Sequence, residues 1–225
     1  MKSALDCIIN INHLGIITEW NQASEETFGW PKEEVLGKPL SRFIIPPKYR
    51  DGHHAGMKHY LDTGEGPILG KWIEITALNS DGQEFPVELT VSPFTDEGQQ
   101  FFIAHLRDIS PVRAAEQHMR LQSAALEAAA NGIIITDEQG IIMWANPAFL
   151  ELTGHSEDEV IGQNTRMLKS GKHKDQFYQA LWETILAGRV WQGELFNKRK
   201  DGSLYIEEMT ITPVAGSDGG ISNFI

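Results

Sequence analysis

Short apolar runs alternate with polar turns along the chain, and this rhythm sets out the elements. Residues 7–12 (CIININ) and 132–137 (GIIITD) are rich in β-branched side chains, and each meets a turn and a second such run, 15–20 (GIITEW) and 140–145 (GIIMWA). Such runs predict paired strands. Short helical segments are predicted at 21–28 and 146–152, and longer helices at 54–61 and 176–187. Gly29 and Gly154 punctuate the chain after the short segments, where a positive φ suits glycine. Three strands follow in each half: 70–78, 84–93 and 100–107, then 191–198, 204–213 and one starting at Ile221. Asp81-Gly82 and Asp201-Gly202 sit between strands as tight hairpin turns. The order β-β-α-α-α-β-β-β occurs twice, which predicts an α+β class with antiparallel sheets carrying helices on one face.

The two halves are also similar residue by residue. Gly15/Gly140, Asn21/Asn146, Gly29/Gly154, Val35/Val160 and Gly37/Gly162 pair at one constant offset. DGQEFPVELTVSP from Asp81 then matches DGSLYIEEMTITP from Asp201 at an offset smaller by five, so the first copy carries a five-residue insertion. Two blocks in one order indicate duplication of a whole small domain rather than a solenoid repeat. At this offset Ile225 pairs with His105, so the last strand lacks the counterpart of 107–110 (RDIS), and the chain reads as a fragment of a longer parent. The expected division is 1–109, a helical linker at 110–130, and 131–225 with its last strand truncated. The linker is Ala-rich and starts at Ser110-Pro111. Val112, Met119 and Leu126 recur every seven residues, with Ala115 and Ala129 at the d-like positions three residues on and Gln122 interrupting the seam. A helix packed on its own domain and a signalling helix paired with a second chain both fit this pattern.

Composition narrows the function classes. The 225 residues carry a net charge of −12, and the only dense basic cluster is Lys198-Arg199-Lys200, too short to track a nucleic acid. A single cysteine, Cys7, allows neither an internal disulfide nor a thiolate metal cage. No apolar run reaches the roughly 18 residues of a membrane span, and the N-terminus lacks a signal-peptide layout, so a cytoplasmic setting is expected. Nucleotide-binding glycine fingerprints, Walker A loops, HExxH and Gly-x-Ser-x-Gly motifs are all missing, so this stretch is not expected to be an enzyme.

Asn21…Gly29…Val35-x-Gly37 followed by Asp81-Gly82…Glu88-x-Thr90…Pro93, repeated in the second half, resembles PAS domains across nearly all of both copies. The resemblance implies two PAS folds, each a five-stranded antiparallel sheet with helices on one face, joined by a helix. It further implies a sensory input region of a bacterial sensor histidine kinase, dimerising through PAS or linker helices and relaying to kinase domains in the parent chain.

The second copy adds GQNTRMLKSG from Gly162 and FYQALWETILAGRVWQGELFNKRKDGSLY from Phe177. These runs are similar to the flavin-binding branch of the family: light-oxygen-voltage photoreceptors, and the FAD-binding PAS domains of nitrogen-fixation redox regulators and aerotaxis receptors. The "W…L…W-x-G-x-x-x-N-R-R-K" string of the latter is filled by Trp182, Leu186, Trp191, Gly193, Asn197, Lys198, Arg199 and Lys200. The implied cofactor is FAD in preference to FMN. Asn197 supplies a donor and an acceptor, and strand alternation puts Leu195, Asn197 and Arg199 on one face. Trp182 supplies an aromatic wall or an indole donor. Asn146 and Asn164 are further amides, and Leu168 belongs to the same run. Arg166, Lys169, Lys172 and His173 suit phosphates or the adenine end, and Glu207 and Glu208 are acids on a nearby strand. Thr165 stands at the photoreceptor cysteine position, and a hydroxyl forms no light-driven thioether, so redox or oxygen sensing is expected. Taken singly, each of these side chains also suits a packing or surface role.

The first copy has Ala77 in the place of Asn197. Its PPKYRDGHHAGMKHYLDTGEGPILG run resembles the haem PAS domain of rhizobial oxygen-sensing kinases, with His53 at the proximal ligand position but Ile73 where that family has arginine. Flavin in the first copy, haem on His53, and a cofactor-free dimerisation or relay module are therefore the alternatives. No metal site is expected.

Overall fold

The computed structural model describes residues 6–217 and 219–225. Residues 1–5 of the first expected domain lie outside the described residues. The chain divides into two compact units, Met1–Gln117 and His118–Ile225.

Unit 1 runs β1 (Cys7–Asn12), β2 (Ile17–Trp20), α1 (Gln22–Phe28), α2 (Lys32–Val35), α3 (Arg50–Thr63), β3 (Ile73–Leu78), β4 (Glu84–Asp96) and β5 (Gln99–Asp108). The strands form one antiparallel sheet in the order β2-β1-β5-β4-β3. The period-two pattern of CIININ works as expected, because Cys7, Ile9 and Ile11 are buried while Ile8 is exposed. Asn21 caps α1 by accepting from the Ser24 backbone N–H, and Gly29 ends it at φ +73°. The interior is one contiguous core. Trp20 tilts on Phe28 at 5.5 Å, Phe28 meets Phe85 at 5.6 Å, and Tyr60 meets Phe102 edge-on at 5.3 Å.

The linker forms α4 (Ser110–Glu127), which buries none of its side chains and leaves Val112, Met119 and Leu126 exposed. Among the described residues no helix is long and apolar enough to cross a membrane.

Unit 2 repeats the order with β6 (Ile134–Asp137), β7 (Ile142–Ala145), α5 (Pro147–Thr153), α6 (Glu157–Val160), a short 3-10 helix (Thr165–Leu168), α7 (Asp175–Leu186), β8 (Trp191–Lys198), β9 (Leu204–Ile211), β10 (Pro213–Ala215) and β11 (Ile221–Phe224). Its strands do not form one five-stranded ladder. They pair as β10-β11-β6-β7 and, separately, as β8-β9. The strand that is continuous in unit 1 as β4 is interrupted here at Thr212, which exchanges two backbone hydrogen bonds with Ile225 at 2.8 and 3.0 Å. That pairing also corrects the register expected from the repeat. Thr212 is the counterpart of Ser92, whose partner is Ile103, so Ile225 takes the place of Ile103 and not of His105. The physical cause is a longer hairpin: twelve residues separate Thr212 from Ile225 against ten between Ser92 and Ile103, with a bulge between Val214 and Ala215.

The interior differs as well. Unit 2 has two clusters of buried side chains, one around Ile142, Phe149, Val160 and Leu168, the other around Leu181, Ile185 and Phe224.

Candidate functional site

Members of both clusters line a cavity of about 930 Å³ in unit 2. One wall comes from α7. Tyr178, Leu181, Trp182 and Ile185 follow the i, i+3, i+4, i+7 spacing that places side chains on one helix face, and all four line the cavity. Trp182 lies close over Gly140, where a Cβ would stand 3.2 Å from the indole ring, and meets Phe224 edge-on at 5.7 Å. Gly140 also sits at φ +77°, so its lack of a side chain serves both the turn and the close approach.

The facing wall is the β8-β9 hairpin. Leu195 and Asn197 are buried while Glu194, Phe196 and Lys198 point away. Asn197 pairs with Tyr205 across the ladder, and Leu195 with Glu207. On this wall the Asn197 Nδ2 donates to Glu207 Oε1 at 2.5 Å. Burial pushes the Glu207 carboxyl above its ordinary range, and the Asn197 hydrogen bond opposes that rise. Burial, and next the neighbouring Glu207 charge, push the Tyr205 phenol up to about 12.

The third side is the 3-10 helix. Asn164 caps it by accepting from the Arg166 backbone N–H at 3.0 Å and from Arg166 Nε at 2.9 Å, while its Nδ2 donates to Gln139 O at 2.8 Å. Thr165, Arg166, Leu168 and Lys169 follow along the cavity. An antiparallel bridge from Lys169 to Asn197 ties this segment to β8.

Nine of the ten cofactor-binding candidates therefore meet at one cavity: Asn164, Thr165, Arg166, Leu168, Lys169, Trp182, Leu195, Asn197 and Glu207. Asn146 does not line it. Its side chain is fully buried as the N-cap of α5, accepting from the Ile133 and Phe149 backbone N–H groups and donating to Asn131 O. An Asn directly before a proline at the first helical position carries this signal in the sequence itself. His173 is drawn to the outside of β8, where its Nε2 accepts from the Phe196 N–H at 2.9 Å and its ring stacks on Phe177. Arg199 and Lys200 act as clamps. Arg199 Nε donates to Leu152 O, and Lys200 pairs with Glu159, whose carboxyl falls to about 2 through Lys200 and then the Ser156 backbone N–H.

Tyr178 is the residue that the sequence reading passed over. Its hydroxyl is buried without a hydrogen-bond partner, burial pushes its phenol up, and Lys169 Nζ lies 3.8 Å from the ring centroid. The helical spacing to Trp182 was its available signal.

In unit 1, Ala77 is buried at the position of Asn197, and His53 is held neutral, lowered to about 4 by burial and then by His54. The adjacent His54 Nε2 bonds Ser41 Oγ at 3.1 Å.

Comparison with known proteins agrees with this architecture. The PAS fold matches residues 1–109 and 121–225. The chain is 40% identical over 110 residues to an uncharacterized protein of Azorhizobium caulinodans, covering 49% of this chain and 15% of that protein. It is 37% identical over 110 residues to the nitrogen fixation regulatory protein of Klebsiella oxytoca, covering 49% and 22%. A longer stretch of 179 residues is 25% identical to the oxygen sensor protein DosP of Escherichia coli, covering 77% and 22%. The chain thus spans between 15% and 22% of the length of these curated relatives.

Proposed function

The chain belongs to the PAS family, with a PAS fold in each half, and from that premise we propose that it is a redox- or oxygen-sensing input region whose unit 2 holds FAD. PAS domains are in general regulatory modules rather than enzymes, and the relatives include proteins named for oxygen sensing and nitrogen-fixation regulation. The observation that carries the reading is the convergence of nine sequence-chosen residues on one cavity of ligand size. Small-molecule pockets measure roughly 300–1,000 Å³ and combine apolar walls with a few aimed polar groups.

The residues present fit a flavin. Leu168, Leu181, Trp182, Ile185 and Leu195 offer an apolar slot suited to a flat ring. Asn197 and Glu207 offer donor and acceptor groups on its strand wall. The unpartnered Tyr178 hydroxyl is a buried donor that an entering acceptor would satisfy. Arg166 and Lys169 add positive charge suited to a diphosphate. A bound flavin supplies the electron chemistry, and the protein supplies orientation and tuning. Thr165 in place of the photoreceptor cysteine favours redox over light sensing.

Unit 2 is chosen over unit 1 because the interior of unit 1 is filled by Trp20, Phe28, Phe43 and Phe102. The same filling disfavours haem beside His53. When charge near Asn197 changes, its amide can exchange donor for acceptor, and β8 carries that change to the bridge at Lys169. The exposed Val112, Met119 and Leu126 of α4 suit a homodimer contact, with kinase domains of a parent chain as the output.

The test is direct. Purified protein should be yellow, with a double absorbance band in the blue, and should release FAD on denaturation. A colourless protein that binds no added FAD sinks the cofactor reading, and a sharp Soret band would replace it with haem.

A further inference from the structure

Resting on the reading that unit 2 binds a flavin, we infer that Glu207 determines which ligand edge the cavity accepts, by taking up one proton as the ligand enters and donating the resulting O–H to an acceptor on the ligand. The carboxyl lies on the cavity wall, and one of its oxygens, Oε1, already accepts from the Asn197 amide. Among the described residues no such hydrogen bond reaches the second oxygen. A flat ring seated against β8 and β9 removes the water that solvates that oxygen.

The charges around Glu207 do not replace that water. Arg166 is engaged by Asn164 Oδ1, Lys169 sits over the Tyr178 ring, and Arg199 faces the Tyr205 ring at 4.6 Å while bonding Leu152 O. Tyr205 and Tyr178 are neutral phenols, both raised by burial. Glu208, the next residue on β9, is exposed and pairs with Glu194 on the outward face of the hairpin, so it brings no donor to Glu207. A carboxylate enclosed with one amide donor and no paired cation takes a proton from solvent. The proton settles on the oxygen that Asn197 does not hold, and that O–H then points a donor at the ligand. Carbonyl oxygens and ring nitrogens of a flavin are acceptors of this kind, whereas an N–H edge at this place meets a donor and is rejected.

The experiment titrates the flavin-free full chain with FAD between pH 5 and pH 8, reading the dissociation constant from fluorescence, for the wild type and for Glu207→Gln. The glutamine keeps a neutral donor and cannot ionise. In the wild type the Kd is expected to rise by up to about tenfold per pH unit as free Glu207 ionises, and in Glu207→Gln it stays near the low-pH value. Groups other than Glu207 are the same in both proteins, so the difference between the curves isolates Glu207. Calorimetry of the wild type in two buffers of different ionisation enthalpy counts the protons directly, with uptake approaching one at the upper end of the range, and does not depend on the variant folding. Parallel wild-type and Glu207→Gln curves, or no proton uptake, overturn the inference while leaving the flavin reading standing. FAD binding at no pH overturns the flavin reading and the inference with it.

Discussion

Replacing Asn197 by alanine should destabilise flavin-free unit 2 much more at neutral than at acid pH. Asn197 is 4% exposed, and its Nδ2 lies 2.5 Å from Glu207 Oε1. Burial holds the Glu207 carboxyl above its ordinary 4.5, and this hydrogen bond is the influence that pulls it back down. A carboxyl raised in the folded state binds more protons folded than unfolded. Its contribution is therefore fully present below the unfolded pKa and is lost as pH rises through the folded one. Removing Asn197 leaves burial unopposed, raises the carboxyl further, and steepens that loss. A hydrogen bond to a charged group contributes about 1.5–3 kcal/mol, and one between neutral groups about 1 kcal/mol. The variant should thus lose about 1.5–3 kcal/mol at pH 7.5 but only about 1 kcal/mol near pH 4.5. For a unit of about 100 residues this is a fall in Tm of roughly 6–15 °C at the higher pH. Scanning calorimetry of the whole chain at both pH values reads the difference, and the packing lost with the amide is common to both and cancels. An equal loss at the two pH values, or none, would refute the claim that Asn197 acts by stabilising the Glu207 charge.

Other variants separate the roles of the two units. Tyr178→Phe removes a buried hydroxyl that has no partner, so thermal melts of the flavin-free protein should show a Tm equal to or above the wild type. Its FAD affinity should fall roughly five- to tenfold as one hydrogen bond is lost. Phe28→Ala, at a fully buried position of unit 1, should cost about 3–5 kcal/mol in chemical denaturation while leaving the flavin content per folded chain unchanged; a colourless folded protein would move the cofactor to unit 1. Gly140→Ala places a Cβ 3.2 Å from the Trp182 ring at a φ of +77°. The backbone alone should cost about 1–2 kcal/mol, and tryptophan fluorescence should report a displaced indole.

Much of this was legible along the chain because the relevant signals are local. Strand alternation, the Asp-Gly turns and the glycines that end α1 and α5 depend on neighbours a few residues away, and the repeat doubled each of them. The site was legible in part for the same reason: Leu195 and Asn197 share a face by alternation, and the 162–171 run is continuous. Asn146 and Asn164 show the limit. Both are amides just ahead of a helical turn and both cap it, yet one is sealed inside by Ile133 and Asn131 while the other reaches the cavity. Arg199 and Lys200 belong to the flavin-like string, but their partners, Leu152 and Glu159, are some forty residues earlier in the chain.

By itself the sequence determined that there are two PAS frames, which strands and helices build them, and which residue types cluster in the second. Those properties follow from periodicity and backbone preference, which act over a single turn or strand. Tertiary structure decided that unit 1 closes on Trp20 and Phe28 while unit 2 keeps its core in two clusters with a cavity between them. It also decided that β9 and β10 part at Thr212, and that Tyr178, Asn197 and Glu207 face one space. Whether an interior is filled depends on side-chain volumes meeting across elements far apart in sequence, and no local pattern records that sum.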